Sequence, residues 1–325
     1  MKILIYLEKA NVRGGIEIFA ERHAERLRAE GHEVEIGEWG TGNGERRNLS
    51  AYDEIIVHKC SDVKTLSLFP PEKTTYYVHD HDPICPRSYA YTPLSHNCSR
   101  RSGIFPCIFC APACRSWKAA LKRVFSQSRR KRVMARFRKI VVISEFMKSR
   151  LVANGLPADH IAVEPPVMAS TPSSPSSPSS PSSPSSPSCP PNIDLLFVGQ
   201  LIRGKGVQLL LQAMAQMKTP RTLDIVGTGN MEGKLKALAE RLGLANRVRF
   251  NGFQQNPQDW MRRAACVVVP SFWQEPYGLV AAEAVALGRP VVAFAIGGLP
   301  EACGGKATLV PPGNVAALAE ALEKK

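Results

Sequence analysis

The 325-residue chain has no apolar run that reaches the ~18 residues a membrane-spanning helix needs, which excludes a protein built on transmembrane helices. It also lacks the charged, apolar and small-residue succession of a signal peptide at its start. Lys2-Ile3-Leu4-Ile5-Tyr6-Leu7 reads at once as a buried strand, so a cytoplasmic protein is expected. Apolar residues are missing from 170–191, where Ser-Ser-Pro repeats five times between Ser173 and Pro187. Such a tract has nothing to bury and is expected to be an extended linker without chemistry of its own. Acidic residues are scarce in one place: residues 101–150 hold 14 Lys and Arg against the single acid Glu145. That stretch cannot neutralise itself, and it implies an anionic partner such as a membrane surface, an acidic acceptor or nucleic acid. No aromatic platform or recognition motif accompanies the charge, which sets nucleic acid aside.

What is present is a soluble composition, 44% hydrophobic and 22% charged, with length enough for two domains. Strands at Lys2–Leu7, 34–36, 54–57 and 75–78 alternate with helical stretches, the first from Ile16 to Ala29, and the rhythm restarts at Leu195-Leu196-Phe197-Val198. Alternation of this kind predicts parallel, doubly wound α/β sheets. The domains are placed at 1–168 and 193–325, joined by the Ser/Pro-rich linker 169–192. Two unusual stretches interrupt the first. Cys85, Cys98, Cys107, Cys110 and Cys114 crowd an insertion over 85–114, which suits a structural zinc, separate thiols or a disulfide, although the paired regularity of a zinc ribbon is missing. A basic helical region follows at 117–139, in which Trp117, Leu121, Val124 and Phe125 recur at helical spacing between cations. It reads as a helix packed on the sheet with a solvated basic face, or as a surface held against anionic lipid.

Polar side chains with chemistry gather where strands should end. His79-Asp80-His81-Asp82 follows the fourth strand, and could hold a metal although no spacing there is diagnostic. Gly199 to Gly206, with Arg203 and Lys205 inside it, leads from a strand into a helix over 207–217; a lysine beside open amides suits a diphosphate, and a solvated loop lysine is the plain alternative. Gly227-Thr228-Gly229 forms a similar turn. The longest such stretch runs from Pro270 to Ala284. Pro276 suits a first helical turn, so the amides of Gly278, Leu279 and Val280 are expected to point at an anion at the positive end of the helix dipole. Glu275 and Glu283 then border one ligand, or merely favour the helix start and its surface.

Glu275-Pro-Tyr-Gly-Leu-Val-Ala-Ala-Glu283-Ala, followed by Gly288-Arg-Pro-Val-Val-Ala and Gly297-Gly-Leu-Pro-Glu301, resembles the signature of the retaining, family-four glycosyltransferases (glycosyl transferases group 1). The resemblance implies a GT-B fold, two Rossmann-like domains facing a cleft, and transfer of a sugar from a nucleotide-sugar donor to a sugar or lipid-linked hydroxyl acceptor. It places Gly14 and Gly15 against the donor pyrophosphate and His79 against the transferred sugar. Lys205, Arg203 and the amides near Gly278 stabilise the leaving diphosphate, with no metal required. Glu275 meets sugar hydroxyls or the phosphate edge, and Glu283 holds the ribose. Gly199, Gly227, Gly229, Phe253, Tyr277, Leu279 and Val280 complete the donor pocket. Gln200 stands where the family commonly has arginine, and the helix that family members carry back to the first domain is expected to be absent. A catalytically silent, membrane-adaptor relative of the same fold is the competing expectation.

Overall fold

The computed structural model describes residues 1–8, 15–38, 48–85, 98, 101–102, 107, 117–166 and 192–325, without the side chains of 15, 18 and 117–120, and every structural statement below concerns these. Gly14, Cys110, Cys114 and all but the last residue of the Ser/Pro-rich linker lie outside them. Two compact units are present, Met1–Pro165 and Pro166–Lys325.

The first unit carries a six-stranded sheet of β1 (Lys2–Leu7), β2 (Glu33–Glu38), β3 (Glu54–Lys59), β4 (Thr74–Val78), β5 (Lys139–Val142) and β6 (Ile161–Val163), in the order β2-β1-β3-β4-β5-β6. All of its pairings are parallel. Alternate residues of each strand feed opposite cores. Leu4, Tyr6, Ile55, Val57, Tyr76 and Val78 pack on one face, and Ile3, Ile5, Leu7, Ile56 and Tyr77 on the other. A parallel sheet buried on both sides needs this unbroken apolar reading, because helices cover both faces. The helix Gly15–Ala29 covers the second face through Ala20, Ala24 and Leu27.

The helix Trp117–Met134 takes up the first part of the basic region expected to be helical over 117–139, and the rest is a turn leading into β5 at Lys139. Val124 and Met134 are buried, but Phe125 is 51% exposed and does not join the apolar stripe. Its place on the buried face is taken by Gln127 and Arg130. The Arg130 guanidinium donates to the carbonyls of Ser61 (2.5 Å) and Asp82 (3.4 Å), so this cation anchors the helix to the strand ends instead of facing solvent.

In the second unit the strands are β7 (Ile193–Val198), β8 (Leu223–Val226), β9 (Val248–Phe250), β10 (Ala264–Val269), β11 (Val291–Phe294) and β12 (Thr308–Val310), in the order β12-β11-β10-β7-β8-β9. Reversal of direction between β7 and β10 makes the order that of a dinucleotide-type doubly wound sheet. Ligands of such sheets collect outside the carboxyl ends of the two strands flanking the reversal. The residues that follow β7 and β10 are therefore the place to look.

Candidate functional site

After β7 the chain runs through Gly199 to the short turn Arg203–Lys205 and then into the helix Val207–Gln216. After β10 it runs through Ser271, Trp273 and Glu275 to the helix Leu279–Ala286. These two exits meet. The Lys205 ammonium lies 2.6 Å from Glu275 Oε1, and the same oxygen accepts from Ser271 Oγ (2.7 Å) and Trp273 Nε1 (2.8 Å). The ammonium also sits 5.3 Å from the centroid of the Trp273 ring, a cation–π contact. Glu275 is buried. Burial alone would raise its carboxyl, but the Lys205 charge and the hydrogen bonds from Lys205, Ser271 and Trp273 outweigh that and hold it below the usual glutamate range. One of the three N–H groups of Lys205 is spent on the glutamate, so the ammonium is fixed in place rather than tumbling in solvent.

Close backbone packing sets the positions of both loops. Gly206 has φ +75°, and a Cβ there would fall 1.8 Å from the Pro270 carbonyl oxygen. Gly206→Ala is expected to lower the stability of the second unit by roughly 3 kcal/mol or more, since it combines a strained left-handed backbone with a clash against main chain. Urea denaturation monitored at the Trp260 and Trp273 fluorescence checks this, and an unchanged midpoint would contradict it. On the other side, the Gly298 N–H donates to the Glu275 carbonyl at 2.8 Å, tying the turn that follows β11 under the glutamate.

The helix start differs from the sequence reading. Gly278, at φ +112°, is the N-cap, and the helix opens at Leu279. Pro276 thus stands two residues ahead of the cap and not in the first turn. Leu279 and Val280 occupy the first two helical positions, whose amides have no acceptor within the helix. Glu283 lies half-buried within the same helix, and Tyr277 half-buried just before its cap. Arg203 is exposed beside Lys205. Gly199 and Gly227 end β7 and β8 in backbone contact: a Cβ on Gly227 would fall 1.9 Å from the Gly199 carbonyl oxygen, and one on Gly229 would fall 2.4 Å from the Leu201 carbonyl oxygen. Phe253 lies beyond β9 and is 75% exposed.

Three partners escaped the sequence reading. Ser271 and Trp273 are one. Asp224, in the middle of β8, is another: it is buried and receives Arg249 Nε (2.9 Å), Arg249 Nη2 (2.5 Å) and Asn251 Nδ2 (2.9 Å), which fastens β9 and the turn leading to Phe253. The third is in the first unit. His79 follows β4, where its Nε2 lies 2.9 Å from Nδ1 of His58, a residue of β3 that only its alternation with Ile56 could have flagged. Gly15 opens the helix Gly15–Ala29 of that unit. Next to His79, burial and the neighbouring Asp82 carboxylate push Asp80 up to about 6.

Among the described residues no group of three or more His, Cys, Asp or Glu side chains is placed to hold a metal ion. His79, Asp80, His81 and Asp82 do not form such a group. Cys85, Cys98 and Cys107 are half-buried and do not form such a group by themselves. No helix among the described residues is long and apolar enough to cross a membrane.

Residues 192–324 match the glycosyl transferases group 1 family. An uncharacterized glycosyltransferase of Methanocaldococcus jannaschii is 40% identical over 111 residues, 33% of this chain and 28% of that one. The D-inositol 3-phosphate glycosyltransferase of Corynebacterium jeikeium is 42% identical over 132 residues, 36% of this chain and 31% of that one. The chain thus aligns with less than a third of the length of either relative. Among solved structures, HepE of Anabaena in complex with UDP-glucose superposes with a TM-score of 0.69 at 21% identity, covering 100% of this chain and 89% of HepE. A glycosyltransferase of Rickettsia africae gives 0.69 at 16% identity, covering 99% of this chain and 87% of that one. At these identities the likeness speaks to the fold, two doubly wound α/β units of the GT-B type. Over residues 192–324, less than half of its length, the chain is similar to the glycosyl transferases group 1 family.

Proposed function

We propose that the protein is a retaining glycosyltransferase that moves a sugar from a nucleotide-sugar donor to a hydroxyl of a lipid-linked or cell-envelope glycan acceptor. The observation that carries this is the Lys205–Glu275 pair at the carboxyl ends of β7 and β10, beside the open N-terminus of the helix Leu279–Ala286. An incoming diphosphate there meets a fixed ammonium, the exposed Arg203 and unpaired helix amides, all in place before negative charge develops. The bond from the anomeric carbon to the phosphate oxygen breaks, and the acceptor oxygen bonds the same face of that carbon. The acceptor proton passes to the departing phosphate, so neither a side-chain base nor a metal is needed. Glu283 is assigned to the ribose and His79 to the sugar as parts of the same proposal. HepE is bound to UDP-glucose, which makes UDP-sugars the first donors to try.

A lipid-linked acceptor is favoured by the exposed face of the helix Trp117–Met134. Lys122, Arg129 and Arg132 lie on it with the exposed Phe125, three cations and an apolar anchor suited to an anionic bilayer surface. The structural zinc of the insertion also stays within the proposal. It calls for about one zinc per purified chain, and for loss of thermal stability on chelation; metal analysis showing none would remove it. Transfer is tested by the anomeric configuration of the product in proton NMR, with anionic lipid vesicles present. Retention at the anomeric carbon supports the proposal; inversion, or vesicle binding by a chain that never releases nucleotide, overturns it.

A further inference from the structure

Three histidines from three separate elements meet in the first unit. His23 lies on the helix Gly15–Ala29, His58 on β3, and His79 just after β4. His23 Nδ1 is 3.1 Å from His58 Nε2, and His58 Nδ1 is 2.9 Å from His79 Nε2. The rings are wedged, not loosely adjacent. Phe19 stands edge-on to all three, with centroids at 6.3, 5.5 and 5.0 Å from His23, His58 and His79. Tyr77 packs against the same three at 5.1, 4.8 and 6.3 Å, and its hydroxyl is anchored on Glu164 at 3.0 Å. His23 and His58 are buried, and burial lowers the pKa of all three rings, to about 4 for His23 and about 3 for His79. They are neutral at physiological pH.

A neutral imidazole has one N–H and one lone pair. Each nitrogen–nitrogen contact needs one of each. Because His58 uses both of its nitrogens, donating to His79 obliges it to accept from His23, and accepting from His79 obliges it to donate to His23. Only two proton arrangements satisfy both contacts, all three rings Nδ1–H or all three Nε2–H. In the first, His79 keeps an Nδ1–H donor for a ligand; in the second, it keeps a bare Nδ1 acceptor. We propose that His23, His58 and His79 form one hydrogen-bonded relay sharing a single tautomer, in which His58 and His23 are positioning residues that fix what His79 presents to a bound sugar hydroxyl. His79 borders a small pocket with Ile16, His58, Asp80, Asp82 and Pro83 at the end of β4, and its Nδ1 is the ring nitrogen that the contact with His58 does not use. Exchanging one arrangement for the other shifts a proton across each contact, releases the His79 Nδ1 proton to ligand or solvent and takes one up at His23 Nε2, so that every ring ends neutral.

The relay itself stands on geometry; its effect on catalysis rests on the glycosyltransferase reading above. The test is two-bond proton–nitrogen correlation NMR of the full chain labelled with ¹⁵N-histidine at pH 7.5, with signals assigned by single substitutions. The expected result is one tautomer common to His23, His58 and His79. A mixed set, or an imidazolium among them, overturns the proposal, and this spectrum of the unsubstituted protein needs neither a folded variant nor turnover. His58→Phe keeps the ring volume and removes the relay. In the folded variant His23 and His79 are expected to leave the shared tautomer for an averaged one, and unchanged signals contradict the coupling. Where transfer is measurable, His58→Phe is expected to lower kcat/KM about tenfold, the worth of one misplaced hydrogen bond. Adding His79→Ala to His58→Phe should cost no more than His79→Ala alone, whereas independent losses overturn the positioning role. A chain with no turnover at all counts against the proposed function and leaves the NMR result to decide the relay.

Discussion

Lys205→Ala is expected to reduce donor-dependent turnover by at least about 100-fold, the usual cost of removing one fixed donor to a developing anion. The same substitution strands the Glu275 carboxylate, which is buried and keeps Ser271 and Trp273 as its side-chain partners among the described residues. Breaking a buried pair from one side costs about 3 kcal/mol or more, so the second unit should also melt earlier. The two effects are separable. Lys205→Ala with Glu275→Gln removes both charges and should recover most of the stability, while turnover stays lost. Urea denaturation and nucleotide release on the single and double variants check this. Recovery of turnover in the double variant would mean that the lysine serves only to neutralise the glutamate.

Lowering the pH from 6.5 to 5 is expected to destabilise the first unit by about 2 kcal/mol through His23 alone, at about 1.36 kcal/mol per pH unit. The sign follows from the depressed pKa. His23 is 7% exposed, and burial, then the neighbouring Arg26 charge, lower it to about 4. The unfolded chain takes up a proton near pH 6.5, as an ordinary histidine does, while the folded chain refuses it until about pH 4. The stabilisation is therefore present above 6.5 and drains away between 6.5 and 4. His58 and His79 are depressed in the same direction and steepen the loss. Urea midpoints at pH 7 and pH 5 test this, with His23→Phe as the control that should flatten the slope. A midpoint that does not move between the two would show that the rings are solvated in the folded protein.

The order of the fold and the two charges that meet after β7 and β10 were readable because each rests on a local pattern. Apolar runs bounded by glycine mark strands of a sheet covered on both faces, and Lys205 and Glu275 stand out as charges at strand exits. Contacts that no periodicity announces were not readable. Ser271 and Trp273 reach the Glu275 oxygen from a turn that has neither helical nor strand periodicity, so no spacing announces them. The helix start was misread because a proline usually favours a first turn, whereas Gly278, with its left-handed φ, ends the approach and begins the helix two residues later. Phe125 illustrates the reverse: its spacing suits an apolar stripe, but the buried face goes to Arg130, whose guanidinium finds two strand-end carbonyls. The histidine relay left a faint trace in the sequence. His23 falls in the stripe Ala20-His23-Ala24-Leu27 that faces the sheet, and His58 alternates with Ile56 on a buried face, so both are polar groups where apolar ones are due. Only the folded chain shows that they answer each other.

The most direct measurement is thermal-shift binding and nucleotide release by the chain across UDP-, GDP- and ADP-sugars, with and without anionic vesicles. Stabilisation by one donor, a UDP-sugar first, with slow release of its nucleoside diphosphate and loss of both in Lys205→Ala, is the expected result. A folded chain that no nucleotide-sugar stabilises and that releases no nucleoside diphosphate would contradict the assignment of the Lys205–Glu275 site to a sugar donor.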